Sequence, residues 1–139
     1  AKATANYNTY GVLYNWPAVN TGKLCPTGWH VPNDAEWTEL TDYLGGPSDA
    51  GGKLKETGTT HWNCPNTSTT NETGFTALPG GARDYDGAFS NVGYDGHWWS
   101  ATELNTNKAR GRYMLCNYSN VYRGIGSKEL GFSVRCLRD

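Results

Sequence analysis

The residues of this chain best equipped for chemistry are four cysteines and three histidines, and their spacing suggests a metal site and a nucleophile. Cys25 with His30, and His61 with Cys64, make a formal Cys2His2 set of zinc ligands. Cys116 beside His97 would make a thiolate–imidazole pair of the kind used in nucleophilic catalysis. Asp84-Tyr85-Asp86-Gly87 offers oxygen ligands to calcium. Each pattern also has a plainer use. His30 stands inside a Trp29-His30-Val31-Pro32 run, and two aspartates in a glycine turn are ordinary turn formers. Structural disulfides are the expected use of the thiols, and no cofactor or metal is implied. Four cysteines allow three complete pairings. A link between Cys25 and Cys136 would close nearly the whole chain, worth roughly 4–5 kcal/mol in the chain-entropy model. Wide spacing with no CxxC, in a chain rich in Trp, Tyr and Asn, suits an oxidising extracellular setting.

Composition excludes several partners and favours one kind of surface. Twelve Lys+Arg against 13 Asp+Glu give a net charge of -1, so no basic footprint points to nucleic acid. No apolar run approaches the roughly 18 residues of a membrane span, and no signal-peptide pattern is present. The expected molecule is a soluble mature or excised piece that does not insert into membranes. With 13% aromatics, 9 Tyr and 18 Gly, short strands and long ordered loops are favoured over long helices. Tyr, Ser, Gly and Asn are also the residues that recognition loops use, because they give contact area at low entropy cost. Arg110–Tyr118 reads as a strand with bulky groups on both faces. With Met114 inward, Arg112 and Cys116 share its face, while Tyr113, Leu115 and Asn117 point outward. Tyr118, Tyr122 and Ile125 follow in a turn-rich stretch. Large apolar groups that a core does not need mean a contact surface.

The elements that must position these groups are legible in outline. Tyr10, Val12 and Tyr14 alternate as an opening strand that Trp16-Pro17 ends. Asn33 and Glu36 are spaced as a capping box, after which Trp37, Leu40 and Leu44 share a helical face, and Gly45-Gly46-Pro47 stops the helix. A second short helix is expected from about Asp49 to Glu56, weakened by Gly51-Gly52. Residues 57–96 are turn-rich but carry Trp62, Phe75, Tyr85 and Phe89, which need burial. Strands are expected at Gly96–Ala101, Arg110–Asn117 and Gly131–Leu137, with a fourth at Asn120–Gly124. Trp98 and Trp99 then face opposite ways and are both mostly structural. Two helices, long ordered loops and a small antiparallel sheet make one α+β domain over residues 1–139. Pairing of the two ends as strands would bring Cys25 and Cys136 together.

Cys25-Pro26-Thr27-Gly28-Trp29-His30-Val31-Pro32, Glu36-Trp37, Gly52-Lys53-Leu54-Lys55, Asn71-Glu72-Thr73-Gly74-Phe75, Ala77-Leu78-Pro79-Gly80-Gly81, Trp98-Trp99-Ser100 and Gly131-Phe132-Ser133-Val134-Arg135-Cys136 occur in that order. With this series the chain resembles the Fibrobacter succinogenes major paralogous domain from about Gly11 onward. The resemblance implies a C-type-lectin-like fold, as in formylglycine-generating-enzyme-like domains, on secreted or surface proteins of Bacteroidetes and their relatives. The calcium motifs of sugar-binding lectins (Glu-Pro-Asn or Gln-Pro-Asp, with Trp-Asn-Asp) do not occur, so calcium-dependent sugar binding is not expected. The chain is also similar to the receptor-binding target proteins of diversity-generating retroelements. There, mutagenised AAC codons yield a residue set that excludes Lys, Met, Trp, Gln and Glu. Arg110, Gly111, Tyr113, Leu115, Asn117, Tyr118, Asn120, Tyr122, Gly124 and Ile125 are all reachable from AAC, whereas Met114 and Lys128 are not and count as frame.

The expectation is a non-enzymatic extracellular or cell-surface module, an adhesin or receptor-binding domain, stapled by Cys25–Cys136 and by a second pair, Cys64–Cys116, that lies outside the family frame. Its contact face is expected at residues 104–127, with Tyr113, Leu115, Tyr118, Tyr122 and Ile125 as apolar anchors. Arg110, Asn105, Asn107, Asn117 and Asn120 supply the polar contacts. The partner is a protein or glycan on another cell or surface. Two rivals are a carbohydrate-binding module of a polysaccharide-degrading system, and an oxidase using Cys64 and Cys116 as formylglycine-generating enzymes use their cysteine pair.

Overall fold

The helices are short and begin where the sequence offers a cap. A computed structural model describes residues 4–139. Helix α1 (Ala5–Tyr10) is capped by the Thr4 hydroxyl, which accepts from the Tyr7 N–H. This replaces the expected opening strand: three alternating residues lose to a capped polar run, and Tyr14 alone pairs, with Phe132. Trp16-Pro17 does not end a strand but opens α2 (Trp16–Val19), where Asn15 caps and proline sits in the first turn. Helix α3 (Asp34–Tyr43) forms as expected. The Asn33 side chain accepts from the Glu36 N–H and the Glu36 carboxylate accepts from the Asn33 N–H, while Trp37 and Leu44 are buried. In α4 (Ala50–Leu54) the glycines are requirements rather than weaknesses. A Cβ on Gly51 would collide with the Asn120 carbonyl, and one on Gly52 with that of Ser68.

Strands β1 (Trp29–His30) and β7 (Leu137–Arg138) pair antiparallel, as do β2 (Ala82–Arg83) and β3 (Phe89–Ser90). The main sheet is β4 (Asp95–Glu103), β5 (Lys108–Leu115) and β6 (Tyr122–Ser127), antiparallel in that order. Among the described residues, four short helices and three small sheets stand where two helices and one sheet were expected, still within an α+β architecture. The expected strand at Gly131–Leu137 is not continuous. Gly131 bridges to Arg83, Phe132 to Tyr14 and Ser133 to Trp98 before β7 begins. A segment with three different neighbours cannot keep one ladder.

Alternation along β4 sends Trp98 and Trp99 into two different hydrophobic clusters, one on each side of the main sheet, at 3% and 0% exposure. Trp98, Met114 and Cys116 pack with Trp37, Leu54 and Trp62 on the α3 side. On the other side Trp99 and Ala109 pack with Trp16, Val19 and Phe132. The indole N–H groups of Trp16 and Trp99 donate to the Ser100 and Tyr14 carbonyls, tying the first segment of chain to β4. Each cluster has its own disulfide. Cys25–Cys136 (Cα–Cα 5.8 Å) joins the approaches to β1 and β7, as the pairing of the two ends implied. Cys64–Cys116 (Cα–Cα 5.5 Å) ties the loop after α4 to the end of β5.

Candidate functional site

Cross-strand partners share a face of the sheet, so register decides which side chains meet. His97 lies opposite Tyr113, and Tyr113 opposite Tyr122. Their rings form a row across the three strands: His97 to Tyr113 at 5.6 Å, then Tyr113 to Tyr122 at 4.8 Å, both stacked. Inward, the row continues from His97 to Phe132 at 4.9 Å and from Phe132 to Trp99 at 4.3 Å. Outward, Tyr118 stands perpendicular to Tyr122 at 6.5 Å. The row thus runs from the core to the surface, and its last ring, Tyr118, is 52% exposed. Glycine makes room for it: a Cβ on Gly124 would stand 3.1 Å from the Tyr113 ring.

The turn that presents Tyr118 rests on a buried cation. Lys55, with no exposed surface, donates from Nζ to the carbonyls of Leu115 (2.9 Å), Cys116 (3.4 Å) and Tyr118 (2.8 Å) and lies 5.0 Å from the Trp62 ring. Three donors meet three acceptors, while burial pushes the ammonium down to about 8. On the sheet face away from the aromatic row Asp34, at the start of α3, accepts from buried Arg112 of β5 (2.6 Å) and from Arg123 of β6 (2.6 Å). Burial alone would raise its carboxyl, yet Arg123 and Arg112 hold it at about 2. His97 is pushed down by burial, opposed by Asp95 at 3.8 Å.

The expected contact residues divide into three groups. Tyr113, Leu115 and Tyr122 share one face and are half-buried, and Asn117, Tyr118 and Asn120 follow at the same end of the sheet. Arg112, Met114 and Cys116 are buried on the other face, as alternation required. Arg110 and Ile125 do not join the anchors: they lie opposite each other in register and so share the Arg112 face. Asn105 and Asn107 are also elsewhere. They form the β4–β5 turn at the far end of the sheet, where the Asn105 side chain accepts from the Asn107 and Lys108 N–H groups, so Asn105 serves the turn. Met114 is fully buried, and Lys128 bonds Glu103 and lies over the Trp16 ring, so both are frame residues. Gly111 belongs with them, since a Cβ there would stand 2.9 Å from the Trp98 carbonyl. His97, Phe132 and Lys55 were missed as parts of this site because only register and tertiary packing bring them to it.

The chemistry suggested by spacing finds its groups otherwise engaged. All four cysteines are in disulfides, so none is a thiolate nucleophile or zinc ligand. His30 is held by Asp139 (2.6 Å) and Glu36 (2.9 Å), and His61 by Glu56. Asp84 and Asp86 build the β2–β3 turn, in which the Asp86 carboxylate accepts from the Ala88 N–H.

These features define an α+β domain with two disulfides, which belong to an oxidising, extracytoplasmic compartment. Among the described residues no helix is long and apolar enough to cross a membrane. The model of the Fibrobacter succinogenes major domain matches residues 1–138, and the chain belongs to that family. No curated protein and no solved structure matches the chain.

Proposed function

We propose that the domain is a non-enzymatic recognition module, an adhesin or receptor-binding unit with a C-type-lectin-like fold, acting outside the cell or on its surface. The observation that carries this reading is the aromatic row that leaves the core and ends in open solvent at Tyr118. A folding core has no use for that ring, whereas a partner's pocket does. The contact face is narrower than residues 104–127: it consists of Tyr113, Leu115, Asn117, Tyr118, Asn120 and Tyr122. Ligation of all four cysteines in disulfides favours binding over oxidase chemistry at Cys64 and Cys116. The partner is a protein or glycan on another surface. The finer reading, that Tyr113, Leu115, Asn117, Tyr118, Asn120 and Tyr122 are diversified positions, is supported by the burial or engagement of Met114 and Lys128.

The test is a binding screen of the bead-bound domain against cell surfaces and a glycan array, repeated with Tyr118→Ala. Binding that disappears with this substitution supports the reading, and binding that survives it refutes the face. Glycan capture that depends on the exposed rings would instead support the carbohydrate-binding module. A reverse-transcriptase gene beside a near-copy of the 3′ end rich in AAC codons would establish diversification; their absence from the locus would remove it.

A further inference from the structure

Behind the aromatic row lies a cleft of about 420 Å³, between the main sheet and the β2–β3 hairpin. It is lined by His97, Tyr113 and Phe132 and by Gly124 and Gly126 of β6. The hairpin adds Asp84 and Ser90. Among the described residues neither side chain has a hydrogen-bond partner: Asp84 engages others through its backbone only. A cleft of this size, mostly apolar with a few polar groups converging on it, is the usual form of a ligand pocket.

The one carboxylate among the residues lining the cleft, Asp84, makes no ion pair among the described residues. Arg112 also borders the cleft, but that guanidinium is buried and bonded to Asp34. The neighbouring Arg83 points toward the Phe89 ring, at 6.0 Å, and makes no ion pair with Asp84. Among the described residues no cation is bonded to Asp84. An ionised carboxylate beside π-rings is complementary to an organic cation, which gains a charge-assisted hydrogen bond and ring attraction together. A neutral sugar would satisfy the oxygens but leave the charge, and an acidic group would be repelled.

We infer that this cleft receives a basic side chain, lysine or arginine, from a protein partner. The inference rests on the recognition reading above and extends the contact surface from the sheet to the hairpin. It makes His97, Phe132 and Asp84 part of the binding site, although all three lie outside the segment 104–127.

The experiment is an NMR titration of the isotope-labelled, disulfide-intact domain with four probes: N-acetyl-argininamide, N-acetyl-lysinamide, N-acetyl-glutaminamide and methyl β-D-glucopyranoside. The two cationic probes should shift the amide signals of His97, Gly124 and Gly126 in a saturable way. Asp84→Asn should weaken that binding by about tenfold or more. The fold should survive the substitution, since the Asp84 carboxylate has no hydrogen bond or ion pair among the described residues. Equal shifts from the neutral amide or the glucoside, no shift from any probe, or unchanged argininamide binding by Asp84→Asn would each overturn the inference. The cell-surface screen is read separately. Argininamide binding in a domain whose Tyr118→Ala variant still captures cells would retain the cleft and discard the aromatic face.

Discussion

Two tyrosines in one row should respond very differently to truncation. Tyr118 is exposed and touches the row only edge-on, so Tyr118→Ala should change stability by less than about 0.5 kcal/mol while removing partner binding. Tyr113 is half-buried between His97 and Tyr122 and rests on Gly124, so Tyr113→Ala should cost roughly 1–2 kcal/mol as well as binding. Urea unfolding of the two variants distinguishes them. Equal losses would mean that Tyr118 is also structural. Lys55 poses the complementary case, a residue that touches no partner yet fixes the geometry of one that does. Lys55→Met keeps the bulk but leaves the Leu115 and Tyr118 carbonyls unpaired, and should cost about 2–3 kcal/mol. The same variant should broaden the amide signals of residues 116–119. Sharp, unmoved signals there would show that the Cys64–Cys116 link alone holds the turn.

At the scale of elements, Asp34 fastens the start of α3 to β5 and β6 through two arginines, and its ionisation can be followed by pH. Its carboxyl titrates at about 2 in the folded protein, against an ordinary 3.8. Between those values the unfolded chain binds the proton and the folded one does not, so stability falls as pH drops from about 4 toward 2. The loss should approach roughly 2 kcal/mol, and Asp34→Asn should show less of it in unfolding curves at pH 2.5 and 5. An unchanged acid dependence in the variant would assign the effect to other carboxyls. The attachment also explains what was legible in the sequence. Helix α3 declares itself locally, through Asn33, Glu36 and the spacing of Trp37 and Leu44. Strands β4 and β5 follow from alternation, which correctly sent Trp98 and Trp99 apart and Met114 inward. Residues 131–137 looked equally strand-like, but their three separate partners are tertiary facts that no local pattern encodes. The side Ile125 takes was illegible for the same reason: its own neighbours, Gly124 and Gly126, carry no face information, and only its register against Arg110 settles it.

At the scale of the whole molecule, the sheet is a partition with a separately stapled cluster on each side, and the two staples should fail in different ways. Cys25–Cys136 spans a sequence separation of 111 and Cys64–Cys116 one of 52. In the chain-entropy model these are worth about 5 and about 4 kcal/mol, so their thermodynamic costs are close. Their positions are not. Cys116 lies two residues before Tyr118, at the end of the strand that carries Tyr113, whereas Cys25 packs against the cluster that holds the row's inner rings, Phe132 and Trp99, and not at its exposed end. Replacing Cys64 and Cys116 together with alanine should therefore lower the melting temperature and also weaken partner binding under conditions where the protein remains folded. Replacing Cys25 and Cys136 should lower the melting temperature by a similar amount and leave binding by the folded fraction intact. Binding at a temperature well below both transitions separates the two outcomes. Equal binding by both variants would mean that Lys55 positions Tyr118 without help from the disulfide, and that the second staple serves stability alone.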